Sequence, residues 1–147
     1  MSNPIIDFVK NAESEKHATT NGRIIHAKLQ NVQLGAAQSG DSDLIAQIKK
    51  CGGDLESFFG ENSRPEVPIA GIIHGQFISR RIDRLVVDDA AKCVRILDYK
   101  TDVDAEKFHP KYIAQLHEYA ELLKQIYPGY KISCYILWLH NWTLEQI

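Results

Sequence analysis

Arg81-Ile82-Asp83-Arg84-Leu85-Val86-Val87, then Asp88-Asp89-Ala90-Ala91-Lys92, then Val94-Arg95-Ile96-Leu97-Asp98-Tyr99-Lys100, is the stretch that decides the fold. Two runs rich in β-branched and aliphatic residues flank a polar turn, the pattern of a β-hairpin with a short loop. A turn centred between Ala90 and Ala91 sets Asp83 opposite Asp98, Leu85 opposite Ile96 and Val87 opposite Val94. Directly opposed residues share one side of a sheet, with Cβ atoms roughly 4.5–5.5 Å apart. The two-residue repeat of a strand brings Lys100 to that side as well. Three charges therefore converge at the open end of an apolar strand face. Two carboxylates this close repel, so either one keeps a proton or a divalent cation lies between them. Hard cations such as Mg2+ take oxygen ligands and keep waters that phosphates can replace. A lysine beside the pair is placed to hold an attacking water or to meet charge developing on a phosphate.

Asp83 followed at a distance by Asp98-x-Lys100 matches the metal-dependent nuclease pattern PD-(D/E)xK. Alone, it also describes a solvated hairpin end with an Asp98–Lys100 salt bridge. The flanking text narrows the choice. "RIDRLVVDD" and "VRILDYKTD", then "YIAQLHEYAELLKQIYPG" and "ILW", preceded by "GRIIHAKLQ" and "RPEVPI", follow one another over roughly 20–140. In that order they resemble the nuclease domain at the C-terminus of the RecB and AddA helicase-nucleases. The chain departs from the family at Ser79-Arg80-Arg81, where a glycine is usual shortly before the first aspartate. A longer side chain there narrows the approach to the site.

The resemblance implies a restriction-endonuclease-like α/β sandwich whose mixed central sheet joins an antiparallel meander to a parallel strand after a crossover helix. It implies a deoxyribonuclease that works with Mg2+ or Mn2+ in DNA repair or recombination, with DNA and a helicase subunit or domain as partners. Asp83, Asp98 and Lys100 would be catalytic, and His26, Asp83, Asp98 and the carbonyl of Tyr99 would hold the metal. Gln115, Tyr119, Arg81, Arg84 and Glu66 would bind DNA or support the site. Plainer roles also fit: His26 as a packed helix residue, Glu66 as a surface ion pair, Tyr119 as core. The alternative function is a non-catalytic module of the same fold that binds nucleic acid or a helicase; hydrolysis of small nucleotides is a third.

Composition agrees with one domain over 1–147, helical over 1–60 and sheet with crossover helix over 64–140. A net charge of −2 excludes a uniformly basic nucleic-acid binder. Basic residues do cluster near the hairpin, at Arg80, Arg81, Arg84, Lys92, Arg95 and Lys100. Three scattered cysteines, with no Cys-x-x-Cys, give neither a disulfide framework nor a zinc ribbon. With no signal-like or membrane-spanning apolar run, the expectation is a soluble cytoplasmic protein with no membrane partner.

Along the chain, Met1–Lys16 reads as a short helix that packs as a lid. Ile25, Leu29 and Val32 form a helical stripe beside His26. Leu34–Gly40 is a loop, and Asp43 is placed to cap a helix from Leu44 to Lys50 with Leu44, Ile48 and Cys51 on one face. Leu55, Phe58 and Phe59 suggest a helical turn. Glu66–Ile73 is a first strand whose Pro68 favours an edge. A helix from about Pro110 carries the stripe Tyr112, Leu116, Tyr119, Leu123 and Ile126, stops at Pro128-Gly129, and leads to a last strand, Lys131–Leu139.

Overall fold

The computed structural model describes residues 20–101 and 105–147. The expected helix over Met1–Lys16 lies outside them. The described elements run α1 (Thr20–Leu29), α2 (Ser42–Cys51), α3 (Gly53–Glu56) with a 3-10 turn (Ser57–Phe59), β1 (Ser63–Ile73), β2 (Gln76–Asp88), β3 (Cys93–Lys100), α4 (Ala105–Ile126), β4 (Lys131–Trp138) and β5 (Thr143–Gln146). The sheet order is β1-β2-β3-β4-β5. Only β3 and β4 are parallel, and α4 supplies the crossover such a pair needs. The class is α/β with a mixed five-strand sheet.

The register of the β2–β3 hairpin follows the sequence pattern, with Leu85 opposite Ile96 and Val87 opposite Val94. β1 and β2 meet at His74-Gly75, both at positive φ (49° and 77°), as a two-residue type I′ turn requires. β1 is an edge strand, so Pro65 and Pro68 deprive no second neighbour of a ladder donor.

The sheet is covered on both faces. Leu29 of α1, Ile45 and Ile48 of α2, and Phe58 and Phe59 pack on Val86, Leu97, Tyr99 and Leu137. On the other face Leu116, Tyr119, Leu122 and Leu123 of α4 pack on Leu85, Val94, Ile96, Cys134 and Ile136. Leu122 is fully buried, so Leu122→Ala would cost about 2–5 kcal/mol. Among the described residues no helix is long and apolar enough to cross a membrane.

Five local expectations are corrected. The first strand begins at Ser63, three residues early. The cap of α2 is Asp41, whose Oδ1 accepts from the Leu44 N–H at 3.0 Å, so Ile45 and Ile48 face inward while Cys51 is exposed. α4 starts at Ala105 and contains Pro110. Its missing N–H would have bonded the carbonyl of Glu106, an exposed residue in the first turn of the helix. Ile126 is exposed and Leu122 takes its place in the stripe. After β4 the chain turns at Trp142 (φ 55°) and adds β5, antiparallel to β4.

Candidate metal centre

The β1–β2 ladder pairs Pro65 with Arg84 and Val67 with Ile82, but skips the row between them, where Glu66 stands opposite Asp83. The β2–β3 ladder ends at Arg84–Leu97, one residue short of Asp83 opposite Asp98. Side chains change faces here. Strict alternation would separate Ile82 from Leu85, yet both pack beneath α4 while Val86 packs beneath α1 and α2. Glu66 carries the distortion, with φ at 53°, a left-handed conformation that costs a non-glycine residue about 1–3 kcal/mol. Asp83 compensates for the missing ladder bond by accepting the Tyr99 N–H on Oδ2 at 2.9 Å. Three acidic residues of three adjacent strands thus share one row.

α1 brings His26 to that row. A Cβ at Gly22 would collide with the Thr101 side chain, so glycine permits the helix to press against the end of β3. Arg84, fully buried, fastens the other end. Its Nη2 donates to the carbonyls of Leu29 (2.8 Å) and Val32 (2.9 Å), its Nη1 to Ser63 Oγ (3.2 Å), and its guanidinium lies over Phe59. Leu29 ends α1 and Val32 follows three residues later, so the guanidinium ties down the exit of the helix, where a cation also suits the negative pole of α1. His26 Nε2 then stands 3.0 Å from Asp83 Oδ1 and 3.3 Å from Glu66 Oε1. The hydrogen bond to Asp83, which accepts, raises the His26 pKa above its ordinary value against the opposing effect of burial. Burial pushes Asp83 up, but His26 and the Tyr99 N–H outweigh it and hold the carboxyl below its usual range.

On β3, Asp98 is buried and Lys100 Nζ lies 2.8 Å from its Oδ2. That contact is an ion pair off the line of a directed hydrogen bond, and Oδ2 has no hydrogen-bond partner among the described residues. Burial, then the charge on Asp83, pushes Asp98 up to about 7 despite Lys100. Lys100 donates to Gln115 Oε1 (3.0 Å) and lies 4.3 Å from the Tyr112 ring centre, and Gln115 Nε2 donates to Tyr119 Oη (2.8 Å). Tyr119 is both core and support: it is buried on the sheet-facing side of α4, and its hydroxyl ends this relay.

The expected basic cluster divides. Arg81 is exposed, 3.8 Å from Glu66, and Arg80 pairs with Glu118 at 2.7 Å. Arg84 is fully buried, so of the two roles expected for it, binding DNA or supporting the site, its place suits the second. Arg95 bonds Ser57 on the α2 side, and Lys92 belongs to the turn at the far end of β3. Arg23, Thr101, Lys111 and Tyr112 line the cleft without having been foreseen as site residues. Arg23 and Lys111 each lie one helical turn ahead of a recognised site residue, and that spacing was their signal.

The row opens into a cleft of about 970 Å3 between α1 and α4. His26, Glu66 and Asp83 each offer one ligand atom, all within 4.8 Å of one another, so the cluster could hold a metal ion. The Asp98 oxygen without a hydrogen-bond partner among the described residues and the nitrogen-and-oxygen donor set fit a metal ion. The carboxylates of Asp83 and Glu66 both raise the His26 pKa.

No family model matches the chain. The chain is 36% identical over 81 residues, 50% of its length, to an ATP-dependent helicase/nuclease subunit from Leuconostoc mesenteroides. It spans 6% of that relative's length. What the chain is similar to is therefore a small piece of a helicase/nuclease subunit.

Proposed function

We propose that this chain is a PD-(D/E)xK nuclease of restriction-endonuclease-like fold, hydrolysing DNA phosphodiesters with Mg2+ or Mn2+ in repair or recombination beside a helicase. One observation carries the reading: Asp83, beside the buried and under-satisfied Asp98, also meets His26, while Lys100 closes on Asp98. Asp83, Asp98, His26 and the carbonyl of Tyr99 would hold the cation, with Glu66 assisting. When bound, such an ion lowers the pKa of a water and neutralises phosphate charge. Lys100 Nζ holds the attacking water and meets charge on the phosphate oxygens. Gln115 and Tyr119 fix Lys100 in that position, and Arg84 acts from behind by anchoring α1. The similarity to a helicase/nuclease subunit supports DNA as the substrate class.

The test is incubation of the purified chain with linear and circular, single- and double-stranded DNA, with Mn2+, Mg2+ or a chelator. Metal-dependent cutting that disappears in Asp98→Ala supports the proposal. A parent that binds Mn2+ and DNA yet cuts no polymer would instead be a binding module.

A further inference from the structure

Among the described residues, five basic side chains line the cleft together with the carboxylates of Asp83, Asp98 and Glu118. Three of the five are committed: Arg80 to Glu118, Arg81 to Glu66 and Lys100 to Asp98. Arg23 and Lys111 are exposed and have no ion pair among the described residues. Arg23 lies on α1 three residues before His26, and Lys111 on α4 four residues before Gln115, so each shares a helix face with a group of the site. α1 and α4 cover opposite faces of the sheet. The two uncommitted cations thus bracket the acidic row from its two walls.

We infer that Arg23 and Lys111 grip the phosphates on the two sides of the scissile one, so that a single DNA strand crosses the row from the α1 wall to the α4 wall. The inference rests on the nuclease reading above and adds the path of the substrate. A polyphosphodiester repeats its charge at every nucleotide, so a strand with one phosphate at the row extends neighbouring phosphates toward both walls. A lone phosphate ester at the row does not reach both. The Asp98 end of the row is recessed, at only 4% exposed. A flexible single strand can dip into such a cleft, whereas a duplex carries its phosphates on a stiff convex cylinder. Basic grooves that follow the backbone are the usual means of holding single strands.

The test measures binding of a fluorescein-labelled single-stranded oligodeoxynucleotide in EDTA, where no strand is cut, across a range of salt. Each phosphate contact contributes about 0.7 to the slope of log K against log salt for single strands. Arg23→Ala and Lys111→Ala should each flatten the slope by roughly 0.7, and the double variant by roughly 1.4. Arg23→Lys and Lys111→Arg should keep the parental slope, which separates lost charge from a disturbed fold. A parental slope in the double variant, or binding of duplex without binding of the single strand, overturns the inference. Cutting by the parent in Mn2+ is scored separately. Cutting with unchanged slopes sinks only the strand path, and flattened slopes without cutting sink only the nuclease reading.

Discussion

Asp98 on β3 and Glu145 on β5 flank the same residue of β4, Ile136, yet the fold treats the two carboxylates in opposite ways. Glu145 is satisfied on both oxygens. His109 Nε2 lies 2.6 Å from Oε1, and Trp138 Nε1 donates to Oε2 at 2.9 Å. Burial pushes Glu145 up, but these partners outweigh it and hold the carboxyl below its usual range. Asp98 is more deeply buried, faces a like charge, and is pushed the other way. Glu145 fastens β5 to α4 and serves the fold. Asp98 is arranged at a cost to the fold, which points to a ligand rather than to stability.

The largest expected effect breaks that comparison on the side of activity. Asp98→Ala should reduce metal-dependent cleavage on the order of 10³-fold or more, as loss of a group that acts on the reacting centre does. Glu145→Ala should leave cleavage in place. Lys100→Ala should reduce cleavage comparably while leaving Mn2+ affinity largely intact, and calorimetry on both variants separates ligand from water-holder. Equal loss of affinity in the two would reject the role given to Lys100.

Arg84 resembles Glu145 in being satisfied, but it is fully buried. Arg84→Met removes the guanidinium donor from the carbonyls of Leu29 and Val32, of which only the first keeps a backbone partner among the described residues, the Val32 N–H, and should cost roughly 1–3 kcal/mol in urea unfolding. Because the Leu29 carbonyl ends the helix that carries His26, Mn2+ affinity should fall with it. A variant as stable as the parent would show that α1 is held by its apolar stripe alone.

A smaller pair of effects should carry opposite signs. Asp98 titrates near 7 in the folded chain, above its unfolded value, so ionising it costs stability progressively as pH rises through that window. Asp98→Asn should therefore stabilise the metal-free protein by about 1–3 kcal/mol at pH 8, with little gain at pH 4. Glu145 has a depressed pKa, so its contribution is present above the unfolded value and is lost as pH falls through the folded one. Glu145→Gln should destabilise at pH 7 by no more than about 1 kcal/mol, since the pair is a third exposed and screened. Thermal melts at the two pH values read both. The same sign for both substitutions at pH 8 would dissolve the contrast.

How legible these regions were differs for physical reasons. The hairpin register could be read because β-branched runs on both sides of a short polar turn leave few alternatives, and it set Asp83, Asp98 and Lys100 together. β5 could not, since Thr143-Leu144-Glu145-Gln146 has no run of strand formers and depends on β4 and on the Glu145 latch. The fate of Arg84 depends on α1, fifty-odd residues away in sequence, whose carbonyls it satisfies. The left-handed Glu66 is a tertiary compromise that no local preference announces. Glycine at 22 and the one-turn spacings to Arg23 and Lys111 were visible in the sequence, but became meaningful only once α1 and α4 faced each other across the cleft.

Calorimetric titration with Mn2+ at pH 6 and pH 8, in buffers of differing ionisation enthalpy, tests the central claim most directly. His26 has a raised pKa and Asp98 titrates near 7, so both groups hold protons at pH 6 that a cation must displace. The account predicts binding that is tighter at pH 8, proton release at pH 6 that diminishes at pH 8, and loss of binding in Asp98→Ala. Mn2+ binding that is independent of pH and unchanged in Asp98→Ala would contradict it.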